Sequence, residues 1–117
     1  MRKLSTHVLD TAQGRPAADM RLQLWRLDGS DLCLLLETKT NSDGRTDGPL
    51  LTGADLKLGT YELVFHVEEY FRAAGLKVGE PAFLDKVTLR FGVEEGDEGY
   101  HVPLLCSPWS YSTYRGS

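Results

Sequence analysis

The sequence is sparing with the residues that open most catalytic classes. It has two cysteines, Cys33 and Cys106, far apart and in separate apolar runs. A C-x-x-C redox pair and a thiolate zinc cluster are therefore excluded, and each thiol is expected to act as a small buried hydrophobe. The three histidines, His7, His66 and His101, form no H-x-H or H-E-x-x-H pattern. A metal site would have to be assembled from distant residues, so neither a metal nor another cofactor is expected. No G-x-x-x-x-G-K-S/T phosphate loop occurs, and none of Ser5, Ser107, Ser110, Ser112 and Ser117 lies in a G-x-S-x-G elbow.

Charge is equally unassertive. Seventeen acidic against 13 basic residues give a formal net charge of -4. Basic residues never run beyond two in a row, which leaves no sustained footprint for nucleic acid or an anionic membrane. No stretch approaches the roughly 18 apolar residues of a membrane span. The opening "MRKLSTHVLD" carries no apolar core of a secretion signal, so the cytoplasm is the expected compartment. At 117 residues the chain is one domain's worth, residues 1–117.

What is present is alternation. In "MRLQLWRL" Met20, Leu22 and Leu24 point one way and Arg21, Gln23 and Trp25 the other. "TYELVFHV" does the same with Tyr61, Leu63, Phe65 and Val67, and "DKVTLRFGV" with Val87, Leu89, Phe91 and Val93. These are strands with one face in a core. "DLCLLLETK" is apolar on both faces, and Trp25 and Val64 stand on otherwise polar faces. A sandwich buries only one face of each sheet, so such residues, with Leu35, call for another cover, most simply a partner subunit. Turn-rich segments separate the runs, and only "EEYFRAAG" (68–75) reads as a short helix, closed by Gly75. The expected fold is an all-β two-sheet antiparallel sandwich with one short helix.

Candidate chemistry is confined to a few positions. His7 and His101 lie in the first strand and one of the last, and imidazole suits proton transfer near neutral pH. Arg45 sits between Gly44 and Gly48 in "NSDGRTDGP", where its planar fork could engage a carbonyl. Read one at a time, each remains open to a plain structural role. The tail "SYSTYRGS" carries Tyr111, Tyr114 and Arg115 where an idle terminus would be small and polar.

Taken together these motifs resemble the transthyretin-like family, in its hydrolase branch. "LSTHVLDTAQGRPA" (4–17) is similar to its N-terminal signature, "TNSDGRTDGPLL" (40–51) to its arginine loop, and "HVPLLCSPWSYSTYRGS" (101–117) to its C-terminal signature. The resemblance implies hydrolysis of the cyclic amide of 5-hydroxyisourate in urate degradation, with His7, Arg45, His101, Tyr114 and Ser117 catalytic. It further implies that Arg115 and Gly116 join His7, Arg45, Tyr114 and Ser117 in holding substrate. His66 matches no catalytic motif. A homotetramer, a dimer of dimers with channels between dimers, is also implied. The rival within the family is a small-molecule carrier using the same channel without catalysis. Trp109 and Cys106 depart from the signature, outside the residues assigned to chemistry.

Overall fold

The computed structural model describes residues 1–116. The alternating runs become strands: β1 (Lys3–Asp10), β2 (Arg15–Pro16), β3 (Arg21–Asp28), β4 (Asp31–Lys39), β5 (Leu51–Thr52), β6 (Gly59–Phe65), β7 (Val87–Val93), β8 (Tyr100–Cys106) and β9 (Tyr111–Thr113). Two sheets face each other. One has the order β2-β1-β8-β9 with β5 also paired to β1, and the other runs β4-β3-β6-β7.

Between them lies a single core, in which Leu4, Val8, Met20, Leu22, Leu24, Tyr61, Leu63, Phe65 and Leu104 are wholly buried. Each such leucine contributes about 1.5–3 kcal/mol relative to exposure. The apolar phases expected in β3, β6 and β7 are the phases buried, with Phe91 only partly covered. The helix expected at 68–75 is α1 (Val67–Ala73), which buries Val67, Tyr70 and Phe71. Gly75 follows it at φ +86, in the left-handed region where a side chain would be strained.

The expected two-sheet sandwich is the one observed and is mostly antiparallel, whereas one expectation, the burial of Cys33, needs correction. The one parallel pairing between its long strands is β1 with β8, from Leu4 opposite Tyr100 to Asp10 opposite Cys106. β8 comes after all four strands of the opposite sheet and returns beside β1 running the same way. Cys33 is not a buried thiol. It lies exposed on β4, an edge strand with a neighbour only on the β3 side. There Leu32, Leu34 and Leu35 are exposed with it, and the register shifts opposite Leu24 and Trp25. Cys106 is buried and unpaired, and burial pushes its thiol up to about 12. Trp25 on β3 and Val64 on β6 are half-buried on the outer face of the β4-β3-β6-β7 sheet.

Candidate functional site

Strand phase and the β1–β8 register together set which side chains meet. In β1 the residues Leu4, Thr6, Val8 and Asp10 point into the core, so Lys3, Ser5, His7 and Leu9 face outward. In β8 the core takes Tyr100, Val102, Leu104 and Cys106, leaving His101 and Leu105 half-exposed on the same outer face. The parallel register sets Ser5 opposite His101 and His7 opposite Pro103. The two histidines thus occupy adjacent strands two rungs out of step, with backbones roughly 8 Å apart from the strand spacings.

Arg45 reaches this face through a tightly organised loop. The Asn41 side-chain oxygen accepts from the N–H groups of Asp43 (2.9 Å) and Arg45 (3.2 Å), and the Asn41 N–H donates to the Arg45 carbonyl (2.7 Å). Gly44 closes the turn at φ +75, and a Cβ there would lie 2.4 Å from the Val8 carbonyl oxygen, so no other residue fits. The loop docks on β1 by the Val8 N–H donating to the Gly44 carbonyl (2.8 Å) and by an antiparallel bridge between His7 and Arg45. Among the described residues nothing hydrogen-bonds the Arg45 guanidinium, which leaves its five donors for a ligand.

The imidazoles are held differently. His7 Nε2 lies 3.0 Å from the Asp43 carbonyl, which can only accept, so Nε2 carries the proton and Nδ1 is the bare nitrogen of the neutral ring. His101 Nδ1 is 2.8 Å from the Ser5 hydroxyl. Desolvation first, then the positive charge of Arg45 and the neighbouring His7, hold His101 below the usual histidine range. It is therefore neutral at neutral pH.

The tail completes the face. β9 pairs with β8 from Cys106 opposite Tyr111 to Leu104 opposite Thr113, and the same register resumes with Gly116 bridged to His101. Pro103 interrupts the ladder because it has no N–H to give Tyr114, and the Thr113 hydroxyl takes the Pro103 carbonyl instead (2.7 Å). The Gly116 N–H donates to the His101 carbonyl (2.8 Å).

Two cavities open on this face and share Lys3 and Ser5. One, of about 530 Å³, includes His101, Arg115 and Gly116 in its wall. The other, of about 280 Å³, includes Thr6, Arg45 and Thr46. His7 stands on the same face but lines neither. Arg115 lies at the rim of the larger cavity with its guanidinium 4.0 Å from the Tyr100 ring centre and an N–H donating to the Gly99 carbonyl (3.2 Å), so it anchors the tail. Tyr114 is 60% exposed and lines a neighbouring groove with Thr88, Arg90 and Tyr111 rather than the cavity of His101. Ser117 lies outside the described residues. His66 stands apart at the start of α1, as its lack of a motif suggests.

Among the described residues no three His, Cys, Asp or Glu side chains converge as a metal cluster. The sequence does not mark Asn41 as the loop's organiser, and it offers Ser5 only as a serine outside any nucleophile motif. Ser5 was discoverable from its place two residues before His7, on the same face of one strand.

The chain as a whole has known counterparts. Residues 4–116 match the HIUase/Transthyretin family. This chain belongs to that family. Within it, the chain is 59% identical over 115 residues to "5-hydroxyisourate hydrolase 2" of Rhizobium meliloti (strain 1021), covering 98% of this chain and 96% of that protein. It is 45% identical to the Mus musculus 5-hydroxyisourate hydrolase over 116 residues, covering 97% and 94%. Among solved structures, Klebsiella pneumoniae 5-hydroxyisourate hydrolase superposes with a TM-score of 0.80 at 32% identity over the full length of both chains. An (S)-allantoin synthase superposes with a TM-score of 0.93 at 48% identity, covering 98% of this chain and 43% of that one. Sea bream transthyretin in complex with thyroxine, at 24% identity and a TM-score of 0.88 over 97% of this chain and 94% of that one, shares the fold.

Proposed function

We propose that this chain catalyses the hydrolysis of 5-hydroxyisourate, opening the six-membered ring to 2-oxo-4-hydroxy-4-carboxy-5-ureidoimidazoline. Whole-length identity of 45–59% to relatives bearing that activity in their names supports the reaction. The observation that carries the site is the bridge from Gly116 to His101, which joins the hydrolase-branch tail to the face bearing His7 and Arg45.

In this reading water attacks the C6 carbonyl, the C6–N1 bond breaks, and the ring nitrogen leaves with a proton while C6 becomes the carboxylate. His101, neutral at working pH, takes the proton from water. His7, fixed by the Asp43 carbonyl, orients that water through its free Nδ1. The uncommitted Arg45 fork stabilises the oxyanion as the carbonyl becomes tetrahedral. Protonated His101, directly or through ordered water, returns the proton to the leaving nitrogen. Gly116 and Arg115 shape the wall, and Tyr114 and Ser117 supply hydroxyls from the tail.

The tyrosine's position on a neighbouring groove supports a site completed by a second copy of the chain. The open edges β7 and β9, with Trp109, Tyr111 and Tyr114 exposed nearby, and the outward Leu105 support assembly into a homotetramer of two dimers. Two unpaired thiols, one of them exposed, suit the reducing cytoplasm. The reaction is tested by following loss of freshly generated 5-hydroxyisourate above its spontaneous decay, on protein whose mass has been fixed by sedimentation. Acceleration by a tetramer is expected. No acceleration by an intact tetramer would favour the carrier reading, and an active monomer would remove the intersubunit channel.

A further inference from the structure

Ser5 has one side-chain hydrogen bond among the described residues, and it is to the His101 ring. The reverse also holds, since the His101 ring has no other partner among them. Ser5 stands opposite His101 in the β1–β8 register and lines both cavities, so its hydroxyl sits on the ridge between the histidine side and the arginine side. The ring is constrained a second time at its other edge. A Cβ on Gly116 would lie 2.7 Å from His101 Cδ2, so the bare glycine packs directly against that carbon. Nδ1 and Cδ2 are thereby committed, and Nε2 is the nitrogen left for chemistry.

We propose that Ser5 is a positioning residue for the hydrolysis. Its Oγ accepts Nδ1–H from His101, fixing the neutral imidazole with a bare Nε2 turned to the cavity. This rests on the reading of His101 as the base. For Nε2 to take a proton from water, Nδ1 must already carry one, and an acceptor at Nδ1 selects that tautomer over the Nε2–H form that free imidazole prefers. A hydroxyl does this without adding charge. A carboxylate in its place would hold the imidazolium as an ion pair and oppose the lowering that desolvation and Arg45 produce. The Ser5 hydroxyl's own proton is then available to the cavity it lines.

The test compares Ser5→Ala and Ser5→Thr with the parent enzyme, each confirmed in the same assembly state, by steady-state kinetics on 5-hydroxyisourate and by ¹⁵N NMR of the His101 ring. Ser5→Ala is expected to lower kcat on the order of 10- to 100-fold with KM little changed, the scale on which hydrogen-bond partners of metal-bound histidines act. Ser5→Thr, which keeps the hydroxyl and suits a strand, should retain most of kcat. The ¹⁵N shifts should show Nδ1–H in the parent and in Ser5→Thr, and Nε2–H in Ser5→Ala. Parent enzyme in the Nε2–H form, or an unchanged kcat in Ser5→Ala, would overturn the proposal. His101→Ala is run alongside. If it keeps full turnover, the reading of His101 as base fails, whereas an inactive His101→Ala beside a fully active Ser5→Ala condemns the Ser5 proposal alone.

Discussion

Gly116 leaves no room for a side chain against His101. Its backbone N–H holds the His101 carbonyl, and an added Cβ would sit 2.7 Å from Cδ2 and 3.4 Å from the His101 Cβ. A sequence motif at the very end of the chain is in this way a contact of the imidazole.

Gly116→Ala should therefore act on turnover rather than on the core. The sandwich has no buried apolar group at Gly116, whereas a ring displaced by about 1 Å costs on the order of 10²-fold in a positioned reaction. Kinetics and thermal unfolding on the same preparation check this. A kcat fall of that size with an unchanged midpoint is expected, and normal kcat would show that the ring has slack.

Arg45→Ala should lower kcat by two to three decades, about 2.7–4 kcal/mol, the cost of losing one oxyanion donor. It should also change the pH profile. His101 lies below the usual 6.5 in part because of Arg45, so the acid limb of kcat/KM in the parent should fall below 6.5. Removing the guanidinium should move the His101 titration upward while leaving the larger desolvation effect in place. NMR titration of the ring reads this even if turnover is too slow to follow.

His66 should govern acid stability instead of activity. The Arg21 guanidinium donates to His66 Nδ1 (3.2 Å), so the neutral ring carries its proton on Nε2, which is buried without a partner. Burial first, then the Arg21 charge, hold its folded-state value below 6.5. Between that value and 6.5 the unfolded chain binds more protons than the folded one, so stability is full above 6.5 and declines as pH falls through this window. His101 contributes in the same direction. Urea midpoints at pH 8 and pH 5.5 should show the loss, and His66→Gln should show a smaller loss between those pH values with kcat intact. An equal loss in the variant would assign the acid sensitivity elsewhere.

The strands were legible because alternation reports a face buried on one side only, as Leu22 and Leu24 in β3 or Leu63 and Phe65 in β6 show. Alternation does not report which strand lies alongside. The parallel pairing of β1 and β8, which brings Ser5 to His101, is set by the path of the whole chain and was invisible. Cys33 was misread for a related reason. Its run is apolar on both faces, which reads as burial, yet the strand is an edge and edge position has no periodic signature. Arg45 was located by its glycines, and Gly44 does have the close approach that such a residue announces. Tyr114 joins the histidines only through its motif, and within one copy of the chain it lines the neighbouring groove, beyond the break in the ladder at Pro103.

That break has a dynamic consequence. A strand bonded rung by rung opens only when its sheet does, but among the described residues the chain beyond Thr113 is fastened by the Gly116 bridge and by Arg115, which stacks on Tyr100, donates to the Gly99 carbonyl and pairs with Glu98. Such a segment is expected to open at a lower free energy than the sandwich, so hydrogen exchange should find the Gly116 amide less protected than those of β8. The wall of the cavity beside His101 would then loosen and re-form while the sandwich behind it stays closed.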